Sequence, residues 1–208
     1  MKSDIYTAYR AFTDAYVPLN TIEWALFKNK LTLKRYKKGE TIHYAGDICD
    51  TLLFIGSGLV RLYIIDENGK DHTWNICFND ENAQMLNLFV VDYDSFVNQT
   101  ASQISFEVLE DCALLSLGYE EMQQMYRQLK KSERFGRLMA EMAYSYTHNL
   151  VIDRLTKSAK ERYEILMSRT PALLEKVPQY HIASYLGITP QHLSRLRKNT
   201  ALRDDEPM

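Results

Sequence analysis

The sequence predicts an α+β protein in which a block of short strands is followed by helices, the last two folded across a tight turn. Three observations lead there. Between Leu31 and about Leu117, short apolar runs are broken by turn signals every eight to twelve residues, the pattern of an all-β barrel or sandwich. From about Ser132 onward apolar residues recur at three and four, the helical period. Finally, "VPQYHIASYLGITPQHLSRLRKN", Val177 to Asn199, carries the stop, turn and cap of a helical hairpin.

Residues 1 to about 29 read as helical. Tyr6, Tyr9, Phe12 and Tyr16 recur at three and four, and Leu19, Ile22, Leu26 and Phe27 follow Pro18. These faces are expected to pack on what comes next. In the strand block, "LTLKRY" runs into "KKGE", "TIHY" into "AGD", and "TLLFI" into "GSG" at Gly56 to Gly58. "LVRLYII" then turns through "DENG", Asp66 to Gly69, into "KDHTWNICF", a strong hairpin signal because Asn-Gly accepts positive φ. After "GYEEMQQMYRQL" comes the long helical run, in which Phe135, Leu138, Met139, Met142, Tyr146 and Asn149 form a narrow a/d seam. The expectation is a dimer helix that also lies across the strand block, with Asn149 fixing register. A further helix, Ser158 to Arg169, sets Tyr163, Leu166 and Met167 on one face and ends at Pro171.

In the closing hairpin, Ile182, Ala183, Tyr185 and Leu186 lie on one side of the first helix and Leu193 and Leu196 on one side of the second. Gly187 stands where a chain leaving a helix needs positive φ, Thr189 offers an N-cap hydroxyl, and Pro190 takes the first helical position. The outer side of the second helix shows Gln191, His192, Ser194, Arg195, Arg197 and Lys198, with no acid among them. Such a surface suits phosphates and base edges, so a helix-turn-helix that binds DNA is expected. Charge agrees: the chain has a formal charge of -2, but residues 151–200 hold nine Lys or Arg against four Asp or Glu. Basic charge is gathered beside the hairpin, as an electrostatic footprint for nucleic acid requires.

The hairpin's "IASYLGIT" followed by "LSRLRK" resembles the helix-turn-helix of the Crp/Fnr family of bacterial transcription regulators. Gly39, Gly46, Gly58 and Gly69, with "SGLVRLY" between the last two and "FEVLEDCALLSL" after them, resemble the β-roll of that family's cyclic-nucleotide-binding-like sensor. The resemblance implies a β-roll sensor of the double-stranded β-helix or jelly-roll type with N-terminal helices over 1–131, a dimerisation helix over 132–153, and an all-α DNA-binding domain over 154–208. It implies a homodimer on an inverted repeat of double-stranded DNA, with RNA polymerase as a further partner. Gln191, Ser194 and Arg195 match the base-reading positions, Arg195 foremost; Thr189, Arg197 and Lys198 would serve phosphates and His192 either. Little chain follows the second helix, so a short form without a β-wing is expected.

The family's nucleotide pocket uses Gly-Glu and Arg-Ser/Thr pairs. Aligned back from "VLEDC", the second pair falls near Ser102 and Gln103 and the first near Asn82 to Gln84, and neither is present. Gln84, Ser102 and Gln103 are therefore the candidate effector pocket. Residues 71–126 contain no Lys or Arg and ten Asp or Glu, which argues against a buried cyclic phosphate because an unpaired buried charge is too costly. An uncharged or cationic effector, or none, is expected.

Other classes find little support. Cys49, Cys77 and Cys112 have no metal-site spacing and read as reduced and buried. His72 and Cys77 read as structural strand residues, not haem ligands. No cofactor or metal is expected. A phosphate loop, a metal-spaced cluster and a nucleophile elbow are all missing, so an enzyme is not expected. The runner-up is a sensor or interaction module whose hairpin has lost DNA binding. No apolar run suggests a signal peptide or membrane span, so a cytoplasmic protein is expected, and "NQT" at Asn98 is a chance match to a glycosylation acceptor.

Overall fold

A computed structural model describes residues 4–204, with side chains to residue 198. Residues 205–208, including Asp205 and Glu206 of the acidic tail, lie outside the described residues, as does the start of the expected first helix. Two helices, α1 (Ile5–Tyr16) and α2 (Thr21–Lys28), precede the strands. The second opens on a capping box: Asn20 Oδ1 accepts from the Glu23 amide at 2.9 Å, and the Glu23 carboxylate accepts from the Asn20 amide at 2.8 Å. The inner faces of both helices, with Tyr9, Trp24 and Phe27, are buried against the strand block.

The strands are β1 (Thr32–Tyr36), β2 (Thr41–His43), β3 (Thr51–Ile65), β4 (Asp71–Phe78), β5 (Phe89–Val90) and β6 (Ser105–Gly118). They form one antiparallel six-stranded sheet in the order β1-β6-β3-β4, with β2 added on β6 and β5 on β3. Pairing thus joins all six strands into one continuous sheet, which precedes the expected helical region. Two long strands dominate it. Gly56 to Gly58, expected as a turn, lies inside β3, where the register against β6 slips three times between Ile55 and Val60. Gly58 adopts φ +91° with the Asp111 carbonyl oxygen only 2.4 Å from where a Cβ would stand. A bulge and a turn ask the same of glycine, so the residue was read correctly and its context was not.

Asp66 to Gly69 does make the β3–β4 hairpin. Asp66 Oδ1 accepts from the amides of Asn68 and Lys70, both at 3.0 Å, and Gly69 has φ +77°. Between β4 and β6 the chain makes a 3₁₀ turn at Met85–Asn87 and a short helix α3 (Tyr93–Asn98), neither signalled by periodicity. Then come α4 (Tyr119–Gln128), the long α5 (Lys130–Thr156), α6 (Ala159–Arg169), α7 (Pro171–Lys176), α8 (Gln179–Tyr185) and α9 (Pro190–Asp204). Pro171 begins a helix as well as ending one, the N1 position where its missing N–H costs nothing.

The free cysteines are all buried. Of the expected seam on α5, Phe135 is only 6% exposed and lies edge-on to Phe12 and Phe27. Leu138 and Met139 also pack on the sensor core. Phe135 thus belongs to the packing of α5 on the chain's own core, where the N-terminal helices cover that stripe. The apolar residues that α5 leaves open lie further round: Tyr144 is 74% and Leu155 77% exposed, with Val151 and Ile152 between them.

Gly58→Ala should lower stability by about 2–3 kcal/mol or more, because the new methyl meets backbone and the φ is strained. A urea unfolding midpoint close to wild type would contradict the bulge geometry.

Candidate functional site

Helix α8 is short and ends by backbone chemistry alone. The Gly187 amide donates to the Ser184 carbonyl at 3.0 Å and the Ile188 amide to the Ala183 carbonyl at 2.9 Å, the paired bonds of a Schellman ending around a glycine at φ +68°. Thr189 Oγ1 then accepts from the His192 amide at 3.2 Å, capping α9 as its sequence implies. Ala183 is fully buried and Leu193 nearly so. The two helices meet through these side chains.

On α9, Gln191, Ser194, Arg195 and Lys198 are exposed. At spacings of three, one and three they form one stripe along the helix. His192 is half-buried, and so is Arg197, whose guanidinium partly offsets the burial that raises the Tyr163 phenol. Arg197 thus sits at the shoulder of the stripe and not on its crest. The face joins a planar guanidinium, an ammonium, an amide and a hydroxyl with no carboxylate between them, which is what contacts to phosphates and base edges demand.

The hairpin does not stand free of the sensor. β4 is an edge strand, and α8 lies against it. The Thr73 amide donates to Ser184 Oγ at 2.8 Å, and the Ser184 hydroxyl donates to the Asp71 carbonyl at 3.1 Å. Leu59, Ile76 and Phe78 of the sheet share one buried cluster with Tyr163, Leu173, Leu174, Val177, Ile182, Ala183, Leu186 and Leu193. Beneath this contact the guanidinium of Arg61, buried in the sheet, bonds both oxygens of Asp71 at 2.7 and 2.9 Å and Glu107 at 2.8 Å. His181 is buried beside this trio, and among the described residues neither ring nitrogen has a hydrogen-bond partner.

The three candidate effector residues are not brought together. Ser102 is buried, its hydroxyl donating to Asp92 at 2.7 Å and accepting from the Ile104 amide at 3.0 Å. Gln103 beside it is exposed. Gln84 sits at the 3₁₀ turn and lines a different cavity, between β4, α5 and α6. Sequence reasoning missed Asp92, which caps α3 and occupies the Ser102 hydroxyl. An acid three residues before a serine, at the start of a six-residue helix, was the available signal. His72 pairs with Asp66 at 2.9 Å and Cys77 is enclosed in the core. Among the described residues no group of three or more His, Cys, Asp or Glu could hold a metal ion, and no helix is long and apolar enough to cross a membrane.

One antiparallel sheet, a long connecting helix and a helical hairpin docked on the edge of the sheet define the architecture. Residues 33–129 match the model of the cyclic nucleotide-binding domain. No curated relative matches the sequence. Among solved structures, FixK2 from Bradyrhizobium japonicum superposes with a TM-score of 0.68 at 13% identity, covering 86% of this chain and 88% of that one. A protein from Eubacterium rectale assigned to the Crp/Fnr family of transcriptional regulators gives 0.63 at 21% identity, over 89% and 85%. The catabolite activator protein of Thermus thermophilus gives 0.52 at 21%, over 91% and 87%. The chain has the Crp/Fnr architecture, and the resemblance carried by its motifs holds at the level of fold.

Burial first, and then the Arg61 guanidinium, hold His181 below its usual range, at about 4. The folded protein therefore keeps the imidazole neutral while the unfolded chain protonates it near 6.5. The contribution is complete above about 6.5 and is lost as pH falls toward 4. The wild-type urea midpoint should thus fall over this window more steeply than that of His181→Leu. Parallel profiles would show that His181 is not held neutral by the docked hairpin.

Proposed function

We propose that the protein is a homodimeric, sequence-specific DNA-binding transcription regulator whose effector is not cyclic AMP. The observation that carries this reading is the exposed stripe Gln191, Ser194, Arg195 and Lys198 on a helix with a capped start and a fixed turn before it. Arg195 reads a guanine, because its fork can donate twice to one base edge. Gln191 and Ser194 contact neighbouring bases, and Lys198 and the Thr189 end of the helix meet phosphates, with Arg197 and His192 at the margins. Crp/Fnr-type regulators among the similar structures support the reading by fold.

A second copy supplies the second recognition helix. On α5, Tyr144, His148, Val151 and Leu155 recur at four, three and four, the spacing of a coiled-coil seam. Tyr144, Val151 and Leu155 are exposed in the single chain. Two such helices packed along this seam place two α9 helices for successive major grooves about 34–36 Å apart, so the target is an inverted repeat.

Cyclic AMP is disfavoured by three neighbours. Ser102 is already committed to Asp92, residues 71–126 hold no Lys or Arg, and the buried Arg61 is neutralised by Asp71 and Glu107. A cyclic phosphate there would face carboxylates without a free cation.

Selection from random duplex DNA by the full chain should recover an inverted repeat. Arg195→Ala should cost about 1–3 kcal/mol on that site and little on random DNA. Equal losses on both would make Arg195 a phosphate contact, and recovery of no sequence would favour an interaction module over a regulator. Leu155→Glu should halve the mass seen by sedimentation and abolish binding to the full repeat while far-ultraviolet circular dichroism is retained. An unchanged mass would move the dimer seam elsewhere.

A further inference from the structure

A cavity of about 80 Å³ lies where the N-terminal helices, the sheet, α4 and the first half of α5 meet. Tyr9 and Phe27 wall it on the side of the N-terminal helices, Leu52, Phe89 and Leu117 on the side of the sheet, and Phe135 on that of α5. Met85, Met122, Met125 and Met139 complete the enclosure. Thioether side chains are flexible and polarizable, and they adjust to guests of different shape. Among the described residues no charged side chain lines the cavity. Burial raises the phenols of Tyr9, Tyr93 and Tyr126, the last to about 12, so these groups stay neutral as well. Gly136 lets the Tyr126 hydroxyl come so close to α5 that no Cβ would fit between them.

One polar group in this wall is left over. Ser132, 1% exposed, lines the cavity, and among the described residues its hydroxyl has no hydrogen-bond partner. Its amide donates to the Leu129 carbonyl at 2.9 Å, so the unmet demand lies in the side chain alone. A buried hydroxyl without a partner is costly, and an alanine would occupy the same place without that cost. Size then limits what could pair with it. An apolar cavity of about 150 Å³ accepts benzene, about 25 Å³ for each heavy atom. At the same filling this cavity takes a molecule of about three heavy atoms. A carboxylate or an ammonium would be stripped of water and find no counter-charge, and a hydrocarbon would leave Ser132 unsatisfied.

We propose that this cavity binds a short-chain alcohol of ethanol size, its hydroxyl paired with Ser132 Oγ and its carbon end against the methionines. Such a guest touches the N-terminal helices, the sheet, α4 and α5 together, so it favours the arrangement in which α5 is packed on the sensor. The site lies apart from the recognition face and does not depend on DNA binding.

The test uses the full chain with carbon-13 in the methionine methyl groups. Titration with ethanol should shift the signals of Met85, Met122, Met125 and Met139 saturably, in the millimolar range open to a ligand of three heavy atoms. Met167 on α6 should move only linearly, with the bulk solvent. Xenon, which has no polar atom, should shift the same four signals. Ser132→Ala removes a hydroxyl that has no partner, so the urea midpoint should stay level or rise. The same variant should weaken ethanol about five- to tenfold and leave xenon binding as in the wild type. Equal ethanol affinity in the two proteins, or no saturable shift with ethanol in the wild type, would overturn the proposal. Entry of xenon without ethanol would also overturn it, by reducing the cavity to a gap in packing.

Discussion

The structure depends on how the open edge of β4 is closed. An edge strand offers unpaired amides and carbonyls, and proteins must cover, bend or charge it. Here the cover is a helix. Ser184 places one hydroxyl between the Thr73 amide and the Asp71 carbonyl, satisfying a donor and an acceptor of the strand together. Around that point the apolar faces of β3 and β4 become the floor of the helix-turn-helix core. The hairpin therefore has no separate hydrophobic core; it borrows one from the sensor, and the two halves are thermodynamically joined.

The Arg61 trio under this contact makes the joint specific. A guanidinium 3% exposed would be intolerable alone, but it is held by two carboxylates and rests on the Tyr63 ring, 4.2 Å away. Buried pairs of this kind contribute little net stability and strongly penalise arrangements that separate them. Asp71 belongs to this trio through its side chain and to the Ser184 contact through its carbonyl. Moving α8 off the strand would thus expose an edge and disturb the surroundings of a buried ion pair at the same residue.

What was legible in the sequence was local. Gly187, Thr189 and Pro190 specify a helix ending, a cap and a helix start within four residues, and the structure uses each in that role. Asp66 to Gly69 was equally plain. One signal can serve two geometries: Gly58 could turn a chain or bulge a strand, and sequence reasoning chose the turn, while Phe135 sits at a spacing that serves a partner helix or the chain's own core, and both were expected of α5. Contacts between distant segments were invisible. A serine one residue from the end of a short helix gives no hint that it bonds a strand 111 residues earlier in the chain, and three arginines spread from 154 to 169 give no hint that one cavity gathers them.

Docking does not hide the recognition face. Gln191, Ser194, Arg195 and Lys198 remain exposed while α8 is held on β4, so the sensor cannot act simply by covering them. In a dimer joined along α5, the docked position of each hairpin instead fixes the separation and tilt of the two α9 helices. Groove spacing in DNA is fixed, and a pair of helices slightly misplaced loses contacts on both half-sites together. On the proposed function, control would be control of geometry: whatever favours or disfavours the α8–β4 contact would select between dimers that match the repeat and dimers that do not.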